Sequence, residues 1–227
     1  MRVWGLMWIA CRAYWGVGLT WHDWLTVVLR PWYGDFRRVM VWIPEGARVV
    51  DVGCGAGSFL RIAMEERGVR SGLGVDRDRR RIMVARRAKP VMGLEFAWRE
   101  DGGVGVVSTA DVVTVIDVVH HVPAVEQGEF LARVMMALRP GARLIVRDIE
   151  PTPWWRAWAA RVTDWLSTGT RPAFVPGAEV VAWVRASGMR VVHHSVFSVC
   201  CWRMYLVVAD RPAEAASTMN APRPASV

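Results

Sequence analysis

The rhythm of apolar and polar positions changes once along the chain, at Pro44. Before it, large apolar residues recur three or four positions apart. Trp4, Trp8 and Cys11 form one set and Trp21, Trp24, Leu25 and Val28 another, a spacing that predicts two or three short helices over residues 1–43. From Ala47 onward, short β-branched runs alternate with amphipathic stretches. Arg48–Val52, 73–75, Leu94–Trp98, 111–119 and 142–149 read as strands, the second shortened by Ser71-Gly72. The run 111–119 is apolar at successive positions, as a strand buried on both faces requires. Between these runs, Ser58–Arg67 presents Phe59, Ile62 and Ala63 on one helical face and stops at Gly68. Residues 78–88 form a strongly basic helix, and 126–138 a helix closed by Arg139-Pro140-Gly141. This alternation predicts an α/β domain with a mostly parallel sheet and helices on both faces.

Past Pro151 a second tryptophan-rich helix is predicted around Trp154, Trp155, Trp158 and Trp165, followed by a loop through Pro172 and Pro176. Residues 179–187 read as a helix stopped by Gly188. Strands 191–199 and 203–209 are close enough in sequence to pair antiparallel. From Arg211 the chain is Ala, Pro, Ser and Glu without apolar period, and is predicted to be disordered. The organisation is therefore a helical cap over 1–43, a domain over 44–210 with a substrate-side insertion at 150–177, and a tail over 211–227.

Composition narrows the class. With 227 residues, 53% hydrophobic and 22% charged, the chain suits one α/β domain and excludes a largely disordered protein. The net charge of +8 is almost wholly arginine, since Lys89 is the single lysine. Such an excess suits an anionic partner or simply a solvated basic surface. Cys11, Cys54, Cys200 and Cys201 show no metal-ligand or disulfide spacing, so no metal is expected and a reduced, cytoplasmic protein is the simplest reading. The first residues weakly imitate an export signal, but the apolar stretch is short and Trp8 is ill suited to cleavage. Arg12, His22 and Asp23 break the apolar run before it reaches the ~20 residues needed to span a membrane. The cap remains open to three readings: core packing, a lid over the substrate, or peripheral membrane contact through tryptophan and arginine.

The chemistry concentrates in Val49-Val50-Asp51-Val52-Gly53-Cys54-Gly55-Ala56-Gly57-Ser58, a strand that runs through alternate glycines into a helix. Such a turn lets backbone approach a ligand at the carboxyl end of the first strand. Asp76 stands 21 residues after Gly55, at the end of the second strand, where a carboxylate can accept bonds from both ribose hydroxyls. A dinucleotide fingerprint would want a third glycine at Ser58, which disfavours a dehydrogenase. Asp51 ahead of the turn suits a cationic ligand better than a phosphate.

The Asp51–Gly57 segment resembles the glycine-rich signature of class I S-adenosylmethionine-dependent methyltransferases. The segments 110–123 and 138–146 are also similar to that family, and the small-molecule branch containing ubiquinone and menaquinone methyltransferases is the nearest in flavour. The resemblance implies a Rossmann-like seven-stranded sheet with an antiparallel C-terminal strand, and S-adenosylmethionine as cofactor. It implies that Asp51, Gly53, Cys54, Gly55 and Gly57 lie by the methionine moiety. Asp76 with Arg77 would lie by the ribose, and Glu100 or Asp101 by the adenine.

Asp117 interrupts the fourth strand at its ligand edge, and either a sulfonium or backbone amides would have to compensate it. His121, and after it His120, are the candidate general bases, alongside a mechanism that relies on proximity alone. Asp148 and Glu150 either shape an acceptor pocket or pair with Arg147 and Arg143, while His193 and His194 are structural. The tryptophans suit a small apolar or aromatic acceptor. Nucleic acid is disfavoured as a substrate: neither an Asn/Asp-Pro-Pro-aromatic motif nor a Pro-Cys nucleophile is present, and the basic helix carries no interleaved aromatics. RNA methylation at other positions and a non-catalytic cofactor-binding scaffold stay as alternatives.

Overall fold

The computed structural model describes residues 3–153, 172–200 and 202–213. The predicted helix around Trp154–Trp165, most of the 150–177 insertion and the tail beyond 213 lie outside the described residues. Three helices, α1 (Val3–Tyr14), α2 (Trp21–Tyr33) and α3 (Phe36–Met40), precede the sheet. Then follow β1 (Arg48–Val52), α4 (Ser58–Arg67), β2 (Ser71–Asp76), α5 (Arg79–Arg87), β3 (Leu94–Trp98), β4 (Val112–Ile116), α6 (Gln127–Ala137) and β5 (Arg143–Ile149). The chain ends in α7 (Gly177–Ala186), β6 (Arg190–Val199) and β7 (Trp202–Asp210). One seven-stranded sheet runs β3-β2-β1-β4-β5-β7-β6, with β7 antiparallel to both of its neighbours and the other pairings parallel. This is the Rossmann-like methyltransferase architecture that the sequence implied.

Strand order makes the site. The chain winds outward from β1 to β3, then returns to β4 on the other side of β1. The carboxyl ends of β1 and β4 therefore flank a switch point, where ligands of open α/β sheets lie. The core is split by the sheet. Val50, Val113, Val115, Leu131, Val134, Leu144 and Val184 fill one side, and Phe36, Ile43, Phe59, Leu60, Ile62 and Ile145 the other.

Several boundaries differ from expectation. Ser71-Gly72 does not break β2, because Gly72 pairs with Val49 on one side and Leu94 on the other. A Cβ at Gly72 would stand only 3.0 Å from both Leu60 and Leu94, so glycine lets α4 and β3 close on the strand. β4 stops at Ile116 rather than 119, since Asp117 turns left-handed (φ 56°) and Val119–His121 winds into a 3-10 turn. A second 3-10 turn, Val104–Thr109, occupies a stretch without predicted structure. Arg211 is ordered rather than part of a free tail. Its amide and carbonyl bond Ala142 and Gly141, and its guanidinium caps the carbonyls of Met135, Met136 and Leu138 at the end of α6. The N-terminal periodicity is helical as predicted, but α1 buries Leu6, Ile9, Ala10, Ala13 and Tyr14 and turns Trp4 and Trp8 outward.

Candidate functional site

The turn after β1 is built by glycines at φ 75° (Gly53), 56° (Gly55) and 80° (Gly57), backbone that side-chain-bearing residues rarely adopt. Cβ atoms at Gly53 and Gly57 would collide with Val118 and Phe96 at 2.3 Å, so the turn is closely fitted on both flanks. The amides of Gly53 and Cys54 bond the Val75 carbonyl and hold the turn against β2. The Cys54 thiol faces the packed side with Ile82, Ala85 and Phe96, and burial pushes its pKa well above the ordinary value. Its contribution at the turn is therefore backbone.

Asp76 is buried at the end of β2. One carboxylate oxygen accepts the Gly55 amide at 2.7 Å and the other the Asp78 amide at 2.8 Å, so it ties the turn to the loop before α5. The N-cap of α5 is Asp78, not Asp76, through bonds from Arg80 and Arg81 amides. Asp51, 2% exposed, accepts the Thr114 hydroxyl at 2.6 Å. Burial pushes its carboxyl up to about 7, with Thr114 and Arg30 opposing and Asp76 and Asp117 adding to the rise.

Asp117 is not a lone carboxylate awaiting a cationic ligand. Arg147 Nη1 bonds both of its oxygens at 2.6 and 2.7 Å, and Arg30 Nη2 approaches at 3.5 Å. Burial alone would raise the Asp117 pKa, but these two guanidinium groups outweigh it and hold it low. Arg147 is itself 1% exposed. Thus neither Arg147 nor Arg143 pairs with Asp148 or Glu150: Arg147 belongs to Asp117, and Arg143 bonds Asp210 at 2.7 Å.

Arg30 is the residue the sequence reading missed most completely. It comes from α2, reaches within 3.5 Å of the Cβ position of Gly55, and is acted on electrostatically by Asp117, Asp51 and Asp76. Tyr14, from α1, donates its hydroxyl to the Ala56 carbonyl in the same turn. Burial pushes its phenol up to about 12, so it stays protonated as a donor. The cap therefore closes over the glycine turn. Arg147 had a legible signal, a charge in an apolar strand paired in register with Ile116, next to Asp117. Arg30 had none, because 87 residues separate it from Asp117.

On the other side of β4, the buried His120 directs Nδ1 at Asp148 Oδ1 (2.5 Å), and its amide donates to Asp148 Oδ2 at 3.2 Å. The His121 ring lies 4.1 Å from that of His120 and is exposed. Gln127 donates to the carbonyls of Val119, Val122 and Ala173, fixing the 3-10 turn that carries both histidines. Glu150 accepts from the Gly177 amide and Thr152 hydroxyl. Tyr205, opposite Asp148 in the β5–β7 register, keeps a fully buried hydroxyl without a hydrogen-bond partner among the described residues. His193 bonds Ser195 on β6. Near the third strand, Asp101 accepts the amides of Gly103 and Gly105, bonds that lower its pKa. Glu100 and Arg77 are exposed.

The residues fit S-adenosylmethionine. Close-fitted glycine backbone leaves room for the ligand chain, the buried carboxylates of Asp51 and Asp76 suit its cationic and hydroxyl groups, and Arg30 suits its carboxylate. Among the described residues, no group of three or more His, Cys, Asp or Glu is placed to hold a metal ion.

Comparison with known proteins shows the family and the fold. A family profile described as a methyltransferase domain matches residues 30–194. The chain is 28% identical over 170 residues to the ubiquinone biosynthesis O-methyltransferase of Xanthomonas axonopodis pv. citri (strain 306), spanning 70% of each protein. It is 29% identical over 165 residues to that of Hahella chejuensis (strain KCTC 2396), spanning 68% of this chain and 67% of the relative. Among solved structures, an S-adenosylmethionine-dependent methyltransferase from Mesorhizobium loti superposes with TM-score 0.62 at 21% identity, covering 86% of this chain and all of the other. Magnesium protoporphyrin IX methyltransferase from Synechocystis PCC 6803, with SAH bound, gives 0.62 at 18% identity over 90% and 93% of the two chains. By the profile match over most of its length, and with the seven-stranded sheet, the chain belongs to the class I S-adenosylmethionine-dependent methyltransferases.

Proposed function

We propose that the enzyme methylates a hydroxyl group of a small, apolar or aromatic acceptor of quinone-precursor type. The observation that carries this reading is the His120–Asp148 pair at the carboxyl ends of β4 and β5, on the edge of the sheet that holds the cofactor cradle. With Nδ1–H donated to Asp148, the imidazole lone pair is on Nε2, the tautomer a general base needs. The likeness to ubiquinone O-methyltransferases supports oxygen as the acceptor atom.

S-adenosylmethionine supplies an electrophilic methyl group on a sulfonium when bound. The chain's own residues position and deprotonate. Asp76 would take the ribose hydroxyls with its remaining lone pairs. Arg30 would hold the methionine carboxylate, and Asp51 would face the cationic part. Asp101 is committed to its own loop, which leaves Glu100 for the adenine edge. His120 would accept the acceptor's hydroxyl proton at Nε2, freeing the oxygen for the methyl group that S-adenosylmethionine would supply, and Asp148 would steady the imidazolium. This assigns the base to His120 rather than to His121, because the carboxylate partner stands on His120; His121 lines the approach.

The test is turnover with a panel of catechols and hydroxylated quinone precursors. His120→Ala should lower kcat about 10²- to 10⁴-fold, with S-adenosylhomocysteine affinity unchanged. Asp148→Asn should lower kcat less and displace the acidic limb of the pH profile, along which the base loses its proton. Wild-type turnover by His120→Ala would remove the base from the mechanism. Methylation of amines or carbon in place of every hydroxyl offered would overturn the acceptor assignment.

A further inference from the structure

The outward face of the cap is unusual for a protein surface in water. Trp4, Trp8 and Trp15 are 73%, 66% and 67% exposed, and Trp21 is 77% exposed. Spacings of four and eleven residues are close to whole helical turns, so the first three share one face of α1, Trp15 standing just past its end. The opposite face carries the buried Leu6, Ile9, Ala10 and Tyr14, so core packing already has its own residues. Scattered exposed apolar side chains are ordinary, but a row of indoles along one helix is a contact surface.

Basic residues lie beside it. The loop that joins Trp15 to Trp21 forms one wall of a groove of about 300 Å³, and Arg80, Met83 and Arg87 of α5 form the other. Arg79, Arg80 and Arg87 are exposed, and Met83 adds a half-exposed thioether. The acids on this side are already engaged: Asp23 with Arg80, Asp78 with Arg81, and Glu65 with Arg12. Indole rings with arginines around them match the headgroup level of a bilayer, where one end of the ring is apolar and the other wet. Among the described residues, no helix is long and apolar enough to cross a membrane.

We propose that α1, the start of α2 and the outer face of α5 form a peripheral docking surface for an anionic lipid bilayer. Tryptophans enter the headgroup region and arginines meet lipid phosphates. The surface lies on the back of the helices whose inner faces carry Tyr14 and Arg30 onto the cofactor turn. Docking therefore presents the closed side of the cradle to the membrane and leaves the β4–β5 edge beside it for an acceptor drawn from lipid. The surface itself does not depend on which acceptor is methylated.

The test is co-sedimentation of the full chain with vesicles of phosphatidylcholine alone and with roughly one-quarter phosphatidylglycerol. The expected result is binding to the anionic vesicles only, weakened by salt. Arg80→Glu with Arg87→Glu should weaken it at least ~25-fold, about fivefold for each arginine lost from the surface. Trp4→Ser with Trp8→Ser and Trp21→Ser should weaken it at least ~10-fold. Each variant is also titrated with S-adenosylhomocysteine, whose unchanged affinity certifies the fold; should the tryptophan variant not fold, the arginine pair decides. Equal binding to both vesicle types, binding to neither, or unchanged binding by the folded variants overturns the proposal. So does a homodimer that the tryptophan variant disrupts with no vesicle binding in the parent, since the face would then belong to a second copy.

Discussion

Asp51 is the residue where the physics of burial and of function oppose each other most directly. Its carboxyl is pushed up to about 7 because it is desolvated, and Thr114 offers only one compensating bond. An acid whose folded pKa lies above its unfolded value binds an extra proton in the native state between roughly pH 4 and 7. The ligand-free protein therefore loses stability as pH rises through that window. A cationic ligand beside Asp51 reverses the preference. S-adenosylmethionine binding at pH about 6 should release a proton, and its affinity should climb up to about tenfold per pH unit before flattening above pH 7. Calorimetry in buffers of different ionisation enthalpy measures that proton directly, and Asp51→Asn should abolish it. A pH-independent affinity with no proton release would place the cation elsewhere. The turn glycines and Asp76 were legible in the sequence because local backbone demands fix their spacing. Arg30 was not, since the folded-back cap brings it to Asp117 from far along the chain, and Arg147 showed only as a charge in an apolar strand whose partner strand pairing selects. The need for positive charge at Asp117 was readable; its source in two arginines was not.

Between elements, Asp111 does for the amino end of the sheet what Asp76 does for the carboxyl end. It precedes β4, accepts the Arg48 amide at 2.7 Å and the Arg48 guanidinium, and also bonds Arg139 beyond α6. Three segments are thereby pinned where a cleft of about 630 Å³ opens, well away from the cofactor cradle. Burial would raise its pKa, but the Arg48 side chain and amide and the Arg139 side chain prevail and bring it to about 2. The sign is opposite to that of Asp51. This stabilisation is present above the unfolded value near 4 and is lost as pH falls through about 2. Asp111→Asn should cost about 1 kcal/mol at neutral pH, since solvent screens these ion pairs, and much less near pH 2, as read by urea unfolding at both. An equal cost at the two pH values would mean that shape rather than charge does the pinning. Alternation of β-branched and amphipathic runs made the parallel elements legible, since a strand buried on both faces has no other composition. Boundaries followed tertiary facts instead: β4 ends where Asp117 turns left-handed to meet Arg147, and β2 continues through Gly72 because two neighbours pair it. In α1, period told which residues share a face but not which face is inward. Leu6, Ile9 and Tyr14 took the core from heavier tryptophans because their shape fits against α4 and the turn.

For the molecule as a whole, the cap and the sheet share one apolar core and also meet at the site. Tyr14 bonds the Ala56 carbonyl, Arg30 reaches over Gly55 toward Asp117, and α1 and α2 both contact α4. A ligand in the cradle would be gripped by both bodies at once, so its binding energy bears on their association. Ligand at 100 times its Kd stabilises the native state by about 2.7 kcal/mol. For a chain of this size that corresponds to a rise in Tm of about 5–11 °C. Hydrogen exchange should show where it goes: new protection in α1, α2 and the 53–57 turn, with little change in β4 and β5, whose interiors are already buried. Arg30→Ala should weaken binding at least tenfold and erase most of the new protection in α2, because the proposed role of its guanidinium is to join that helix to the ligand. Protection spread evenly over the sheet, or a full thermal shift in Arg30→Ala, would show the cap to be a passive cover. Cofactor exchange would then proceed without any opening of the cap.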